Sequence, residues 1–280
     1  MTNLKELLKN ELAEKELEIA PNSFEVIGSK EKSVAIVEIP DELESKKELI
    51  AEKIMQMHKN VKSVLKKVSE RKGEFRTREF ELIAGSEDTE VLHKEYGYVL
   101  RVDPQIVYFS EKEGSERQRI AAQVKPNETV MLMFAGICSY GIAIAKKQPL
   151  IEKIIAIELN PQAVEYIKEN ARINRVVDKI IAIEGDVKKE AERFYGKCNR
   201  VIMPLPLAAS EYLEEAIKCL QEKGVIHFYT LIEKENFSSA EQAIEEVCKK
   251  MNKKYKILNE HKVTEYSPKK NKICIDFEIL

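Results

Sequence analysis

Apolar strand-like runs and helix-spaced segments alternate from Glu111 onward, and the series ends in two strands with no helix between them. Glu111 to Val124 has helical spacing, Thr129 to Phe134 is a short apolar strand, and a helix through Ile142 to Lys147 leads to a strand at Lys153 to Ile157. Helical spacing returns at Pro161 to Asn174. Strands at Lys179 to Ile183 and Arg200 to Met203, a helix at Ser210 to Glu222 and a strand at Gly224 to Tyr229 continue the series. Strands separated by helices make a parallel sheet with right-handed crossovers, and such a sheet binds ligands at the carboxyl ends of its strands. After the last helix, Ser238 to Met251, the strands Tyr255 to Val263 and Lys272 to Ile279 follow each other directly, as in an antiparallel hairpin.

Before Ser110 the pattern is different. Phe24 to Gly28, Ser33 to Pro40 and Glu79 to Ala84 read as strands around one helix at Glu42 to Met57, and Thr89 to Asp103 reads as a hairpin turning at Glu95-Tyr96-Gly97. The expected organisation is a small α+β domain over residues 1–110 and an α/β domain over residues 111–280. A length of 280 residues with 44% hydrophobic content can fill both cores. Because 46 Lys plus Arg balance 48 Asp plus Glu, any nucleic-acid surface must be local. The charged, amphipathic start lacks the long apolar core of a secretion signal, and no run approaches the roughly 20 apolar residues of a membrane span. A cytoplasmic protein with no membrane partner is expected, with a monomer as the default. Five widely spaced cysteines without a Cys-x-x-Cys pair predict reduced, mostly buried thiols and no metal site.

Three strand ends carry residues suited to a nucleoside ligand. Phe134-Ala135-Gly136 places small residues at a strand-to-helix turn, where backbone can approach a ligand, although a packing turn would look the same. Glu158 closes the next strand about twenty positions later, as expected of a carboxylate accepting both ribose hydroxyls, and Leu159-Asn160-Pro161 follows with Asn160 as helix cap. Asp186, in Gly185-Asp186-Val187, ends a third strand and could accept an adenine amino group or simply cap a helix. Two acids on successive strand ends behind a glycine turn point jointly to an adenosyl ligand. The closing hairpin selects the Rossmann variant of the S-adenosylmethionine methyltransferases. The predicted fold is a Rossmann-like class I methyltransferase domain, a seven-stranded sheet with an antiparallel last strand, behind the smaller domain.

Several motifs in fixed order then resemble a family. Lys72 to Glu79, His93 to Gly97, Val107 to Ser110, Glu116-Arg117, Met133 to Gly136, Glu158 to Pro161, Val201 to Pro206, Val225 to Tyr229 and Tyr266 to Pro268 resemble archaeal tRNA (guanine-37 N1)-methyltransferases. The resemblance implies S-adenosylmethionine as cofactor and the anticodon stem-loop of tRNA, not DNA, as partner, with the target purine flipped out of its stack. It implies Glu116 as general base and Arg76 as donor to guanine O6. It places Arg117 near the methionine end of the cofactor, Tyr108, Phe109 and Ser110 on the pocket wall, and Pro204, Leu205 and Pro206 beside base and cofactor. Without the family, Glu116 is an acid in a first helical turn. From Lys59 to Arg78 eight basic residues face two acidic ones, a solvated face or a phosphate surface; Lys66, Lys67, Arg71, Lys72, Arg76 and Arg78, with Lys112, are the RNA-contact candidates. A second basic stretch, Lys249 to Lys272, suits solubility.

The chain departs from the family at three positions. Leu132 stands where relatives place Asp, Cys138 where a Gly is common, and Pro204 where the loop often begins Asn-Leu-Pro. The longer archaeal enzymes also carry an N-terminal tRNA-shape domain, which this chain is expected to lack. The alternatives are aminocarboxypropyl transfer to a modified guanosine 37, as in the related wybutosine-pathway enzymes, a catalytically silent tRNA-binding module, and methylation of ribosomal RNA or protein.

Overall fold

In a computed structural model, which describes residues 3–69, 78–207, 209–234 and 236–280, the chain divides into two units, Met1–Glu111 and Lys112–Leu280. The first opens with two short helices that hydrophobic spacing alone did not announce, α1 (Leu4–Leu8) and α2 (Glu14–Ile19). Asn3 and Glu6 close a reciprocal capping box on α1, whose Leu4 and Leu8 are buried. Strands β1 (Glu25–Gly28) and β2 (Ser33–Val37) pair antiparallel, and α3 (Lys47–Met57) then returns the chain to β3 (Val61–Lys67), parallel to β2. β4 (Phe80–Gly85) closes the sheet in the order β1-β2-β3-β4. Ile50, Ala51 and Ile54 of α3 pack on Ala35, Val37, Val61 and Val64. The strand β3 lies inside the basic run: Val61, Val64 and Leu65 are buried, so part of that run is sheet whose lysines ride on an apolar strand. The expected hairpin is β5 (Val91–Glu95) and β6 (Tyr98–Val102), joined by Tyr96 and Gly97 with φ of 42° and 84°. Both positive angles belong to the two-residue turn whose twist matches paired strands.

In the second unit α4 (Gly114–Ala121) leads to the alternating series β7 (Thr129–Met133), α5 (Ser139–Lys147), β8 (Lys153–Glu158), α6 (Pro161–Ile173), β9 (Ile180–Glu184), α7 (Val187–Glu190), β10 (Cys198–Met203), α8 (Leu213–Cys219), β11 (Leu220–Glu233) and α9 (Ser238–Lys250). The hairpin β12 (Tyr255–Ser267) and β13 (Lys270–Ile279) ends it. The helix expected from Ser210 to Glu222 is shorter than its periodicity suggested, because β11 already begins at Leu220. Seven strands lie in the order β12-β13-β11-β10-β7-β8-β9. β7 to β11 run parallel, and β13 is antiparallel to β11. Strand order reverses between β7 and β10, the switch point where a parallel sheet opens a crevice at its carboxyl edge.

The sheet's two faces differ in kind. Met131, Met133, Ile155, Ile157, Val201, Met203, Ile226, Phe228, Ile275 and Phe277 form one apolar face under α8 and α9. Period-two alternation sends Arg200, His227, Tyr229, Cys274 and Asp276 to the opposite face, where Tyr229 and Asp276 bond to side chains of α4. All five cysteines are free and buried. Among the described residues no helix is long and apolar enough to cross a membrane.

Candidate cofactor and base site

The turn after β7 is tightly wound. Phe134, Gly136 and Cys138 all have positive φ, at 54°, 54° and 63°. The Ala135 N–H donates to the Ile157 carbonyl at 3.0 Å and Cys138 N–H to the Ala135 carbonyl at 2.8 Å. The Cys138 thiol is buried, which pushes it up to about 12. It fills the space that Gly141 leaves: a Cβ there would lie 2.3 Å from Sγ, with Ile154 and Leu132 next nearest. Two of the departures from the family, Leu132 and Cys138, therefore meet under α5.

Glu158 ends β8 and ties two loops together. Its Oε2 accepts the Gly136 N–H at 2.7 Å and its Oε1 accepts the Asn160 N–H at 2.9 Å, while burial raises its carboxyl above the usual range. Asn160 caps α6 by accepting the Gln162 N–H at 3.0 Å, with Pro161 in the first turn. Leu159 is half-buried. Asp186 caps α7 through the Lys188 N–H at 2.9 Å, and Val187 belongs to the apolar core. Pro204, Leu205 and Pro206 are half-buried directly after β10. Phe134 meets Tyr212 edge-on at 4.8 Å, and the Lys188 ammonium sits 4.9 Å from the Tyr212 ring, so loops after β7, β9 and β10 converge. Tyr212 lay in a stretch whose helical spacing hid it.

On the other face Glu116 of α4 is 2% exposed. Arg119 grips it with two parallel hydrogen bonds, Nε to Oε2 at 2.7 Å and Nη2 to Oε1 at 2.8 Å. The Tyr229 hydroxyl donates to Oε1 at 2.5 Å, and His261 Nε2 lies 3.4 Å from Oε2. Register places this carboxylate along the strands: Leu132, Ile202 and His227 are level across β7, β10 and β11. One residue further Met203 is level with Phe228, and there β10 gives way to the Pro204 loop as β7 gives way to the Phe134 turn.

The grip on Glu116 is itself held. Arg119 also donates to Asp276, at 2.5 and 3.2 Å, and Asp276 bonds His227 Nδ1 at 2.6 Å. Arg200 meets His227 Nε2 at 2.7 Å and grips Glu128 at 2.8 and 3.1 Å. A guanidinium can only donate, so His227 accepts at Nε2 and carries its proton on Nδ1, toward Asp276. Burial keeps His227 below its usual value. Burial alone would push the Asp276 carboxyl up, but the bonds from His227 and Arg119 hold it far below the ordinary range. Ligand atoms of His227, Cys274 and Asp276 lie within 4.8 Å of one another. Arg119 and Arg200 already supply the cations there, so the cluster reads as an ion-pair network rather than a metal centre. Beside it, Lys272 donates to Glu113 at 2.8 Å and Tyr140 to the same carboxylate at 3.2 Å. Burial opposes ionisation of Glu113, yet Lys272 and Arg117 lower its carboxyl; Arg117 itself is fully buried. Arg119, Arg200, His261 and Asp276 carried no motif signal.

In the first unit the Phe109 ring packs on His93 at 5.0 Å, Tyr108 is exposed and Ser110 half-buried. Lys66 pairs with Glu44 and Lys67 with Glu25, the latter at 3.0 Å. Arg78 is half-buried, and Lys112, at the start of the second unit, is exposed. Arg71, Lys72 and Arg76 lie outside the described residues, and with them the expected partnership of Arg76 and Glu116.

The profile of the TRM5/TYW2 methyltransferase domain matches residues 91–258, and that of the TYW2 N-terminal domain matches residues 4–89. The tRNA (guanine(37)-N(1))-methyltransferase Trm5b of Pyrococcus abyssi is 38% identical over 260 residues, covering 92% of this chain and 75% of the relative. The structure of a complex of aTrm5 and tRNALeu superposes with a TM-score of 0.86 at 35% identity, covering 100% of this chain and 78% of that one. Pyrococcus horikoshii TYW2 in complex with MeSAdo gives a TM-score of 0.82 at 27% identity, covering 99% and 98%. Sequence, sheet order and both domain profiles agree, and the chain belongs to the TRM5/TYW2 family of S-adenosylmethionine-dependent transferases.

Proposed function

We propose that the protein methylates N1 of guanosine 37 in tRNA, with Glu116 as general base. The carrying observation is the buried Glu116 carboxylate, gripped by Arg119 and by Tyr229, whose neighbour Phe228 is level with Met203 just before the Pro204 loop. N1 of guanine holds a proton at neutral pH, so alkylation there needs a base of fixed position. S-adenosylmethionine, when bound, supplies the electrophilic methyl group. The donor set suits it: the Glu158 carboxylate is fixed by the backbone N–H groups of Gly136 and Asn160 and has acceptor capacity for ribose hydroxyls. The half-buried Pro204, Leu205 and Pro206 offer carbonyls for the guanine amino group. By resemblance Arg76 donates to O6 as negative charge moves there, and Arg71, Lys72, Arg78 and Lys112 contact phosphates. Lys66 and Lys67 are weaker members of that set, since each already faces a carboxylate. The anticodon stem-loop is the proposed site of contact.

Tritiated methyl transfer to unmodified tRNA transcripts tests this directly. Transcripts with G at position 37 should be methylated and those with A should not. Glu116→Gln and Arg76→Ala should each lose turnover by roughly 10²- to 10⁴-fold. Full activity in Glu116→Gln would remove the base. One observation favours a second reading: the match of residues 4–89 to the TYW2 N-terminal domain. Aminocarboxypropyl transfer to a modified guanosine 37 would then be the reaction, and mass spectrometry of the product nucleoside separates the two. A silent tRNA-binding module draws less support, because Leu132 and Cys138 are buried under α5. Saturable S-adenosylmethionine binding in calorimetry would end that idea.

A further inference from the structure

We infer that His261 is the exit for the proton that Glu116 removes from the base, an inference resting on the assignment of Glu116 as the base. Once N1 is alkylated it has no use for that proton, and Glu116 must return to carboxylate before the next turnover. The carboxylate is 2% exposed, so the proton must leave through a neighbouring side chain. Among the described residues of the second unit, Arg119, Tyr229 and His261 contact it through polar atoms. Arg119 only donates and cannot take a proton. Tyr229 is fully buried and already spends its hydroxyl proton on Oε1, and burial pushes that hydroxyl well above its usual value. His261 Nε2 lies 3.4 Å from Oε2, and its side chain is 41% exposed. It is therefore the member of the three that can both accept a proton and release it to water.

Strand geometry explains the position. His261 of β12 pairs with Cys274 of β13, and Cys274 pairs with Tyr229 of β11. Cross-strand partners share a face, so the row His261, Cys274, Tyr229 lies under α4, with the imidazole at its outer end. The separation is slightly long for a hydrogen bond and is closed by a small side-chain rotation. The step balances. The guanine N1–H bond breaks as Oε2–H forms; Oε2–H then breaks as neutral Nε2 gains the proton, leaving carboxylate and imidazolium. The imidazolium gives its proton to solvent or buffer.

The test compares His261→Ala with Glu116→Gln under saturating tRNA and S-adenosylmethionine, with cofactor binding measured by calorimetry as a check on folding. His261→Ala should lose turnover by about tenfold or more, with KM for tRNA and Kd for cofactor nearly unchanged. Added imidazole should restore its rate in proportion to concentration and do nothing for Glu116→Gln. Turnover in His261→Ala equal to that of the unmodified protein, or a loss that imidazole leaves in place, overturns the exit. If Glu116→Gln is inactive while His261→Ala is fully active, the exit alone falls. If Glu116→Gln is fully active, the base assignment falls and takes the exit with it.

Discussion

The two faces of the seven-stranded sheet are built from the same strands and held by opposite means. Asp276 and Phe277 are consecutive in β13, 1% and 0% exposed, and point to opposite sides. Phe277 packs among Ile226, Phe228, Ile275 and Tyr255, where contact is non-directional and a neighbour can shift into a gap. Asp276 receives Arg119, His227 and Gln123, each with a required direction. An apolar face loses stability by degrees, whereas a buried ion network loses it abruptly when one member is removed, because its former partners stay buried with a hydrogen-bonding group left unmet. The sheet thus places its tolerant face under α8 and α9 and its intolerant face under the helix that carries Glu116.

The sharpest way to break this contrast is Asp276→Ala, which should cost about 3–5 kcal/mol in urea unfolding, by leaving Arg119 Nη1 and the buried His227 Nδ1 without their acceptor. The pH dependence gives a second view of the same residue. Its folded-state carboxyl is held far below the ordinary value, so its stabilisation is complete above the unfolded value near ~3.9 and fades as pH falls toward the folded one. Acid unfolding below pH ~4 should therefore be shallower in Asp276→Asn than in the unmodified protein. If the two curves coincide, the network is not what holds this face.

A smaller effect is expected under α5. Gly141→Ala sets a methyl 2.3 Å from the Cys138 thiol and should cost about 1–3 kcal/mol. In Cys138→Gly that methyl has room, and the left-handed φ of 63° suits glycine, so the double variant should regain most of the loss. Additive losses in the double-mutant cycle would show that the thiol and Gly141 are not in contact. Phe277→Leu should have the least effect, below about 1.5 kcal/mol, because the face around it can repack. A loss as large as that of Asp276→Ala would erase the distinction between the faces.

Much of this architecture is legible in the sequence. The Tyr96-Gly97 turn, the Asn160-Pro161 helix start and the acid closing β8 are local signals, each a residue type matched to a backbone need within a few positions. β3 escaped because its lysines made Val61 to Lys67 read as a charge run, although Val61, Val64 and Leu65 are buried. The network around Glu116 escaped for another reason. Arg119 and Asp276 are 157 residues apart, and no spacing rule spans such a distance. The alternation of His227 with Tyr229, and of Cys274 with Asp276, was the one available hint.

Periodicity and turn chemistry were enough to specify which segments become strands, where they stop, and that the chain closes on an antiparallel hairpin. They act between near neighbours, where the backbone has few choices. Which polar groups would share a buried face was settled only by sheet order, which sets β13 beside β11 and pairs His227 with Asp276 and Tyr229 with Cys274. A charge out of water depends on every partner within a few ångströms, and those partners exist only once distant strands have come together.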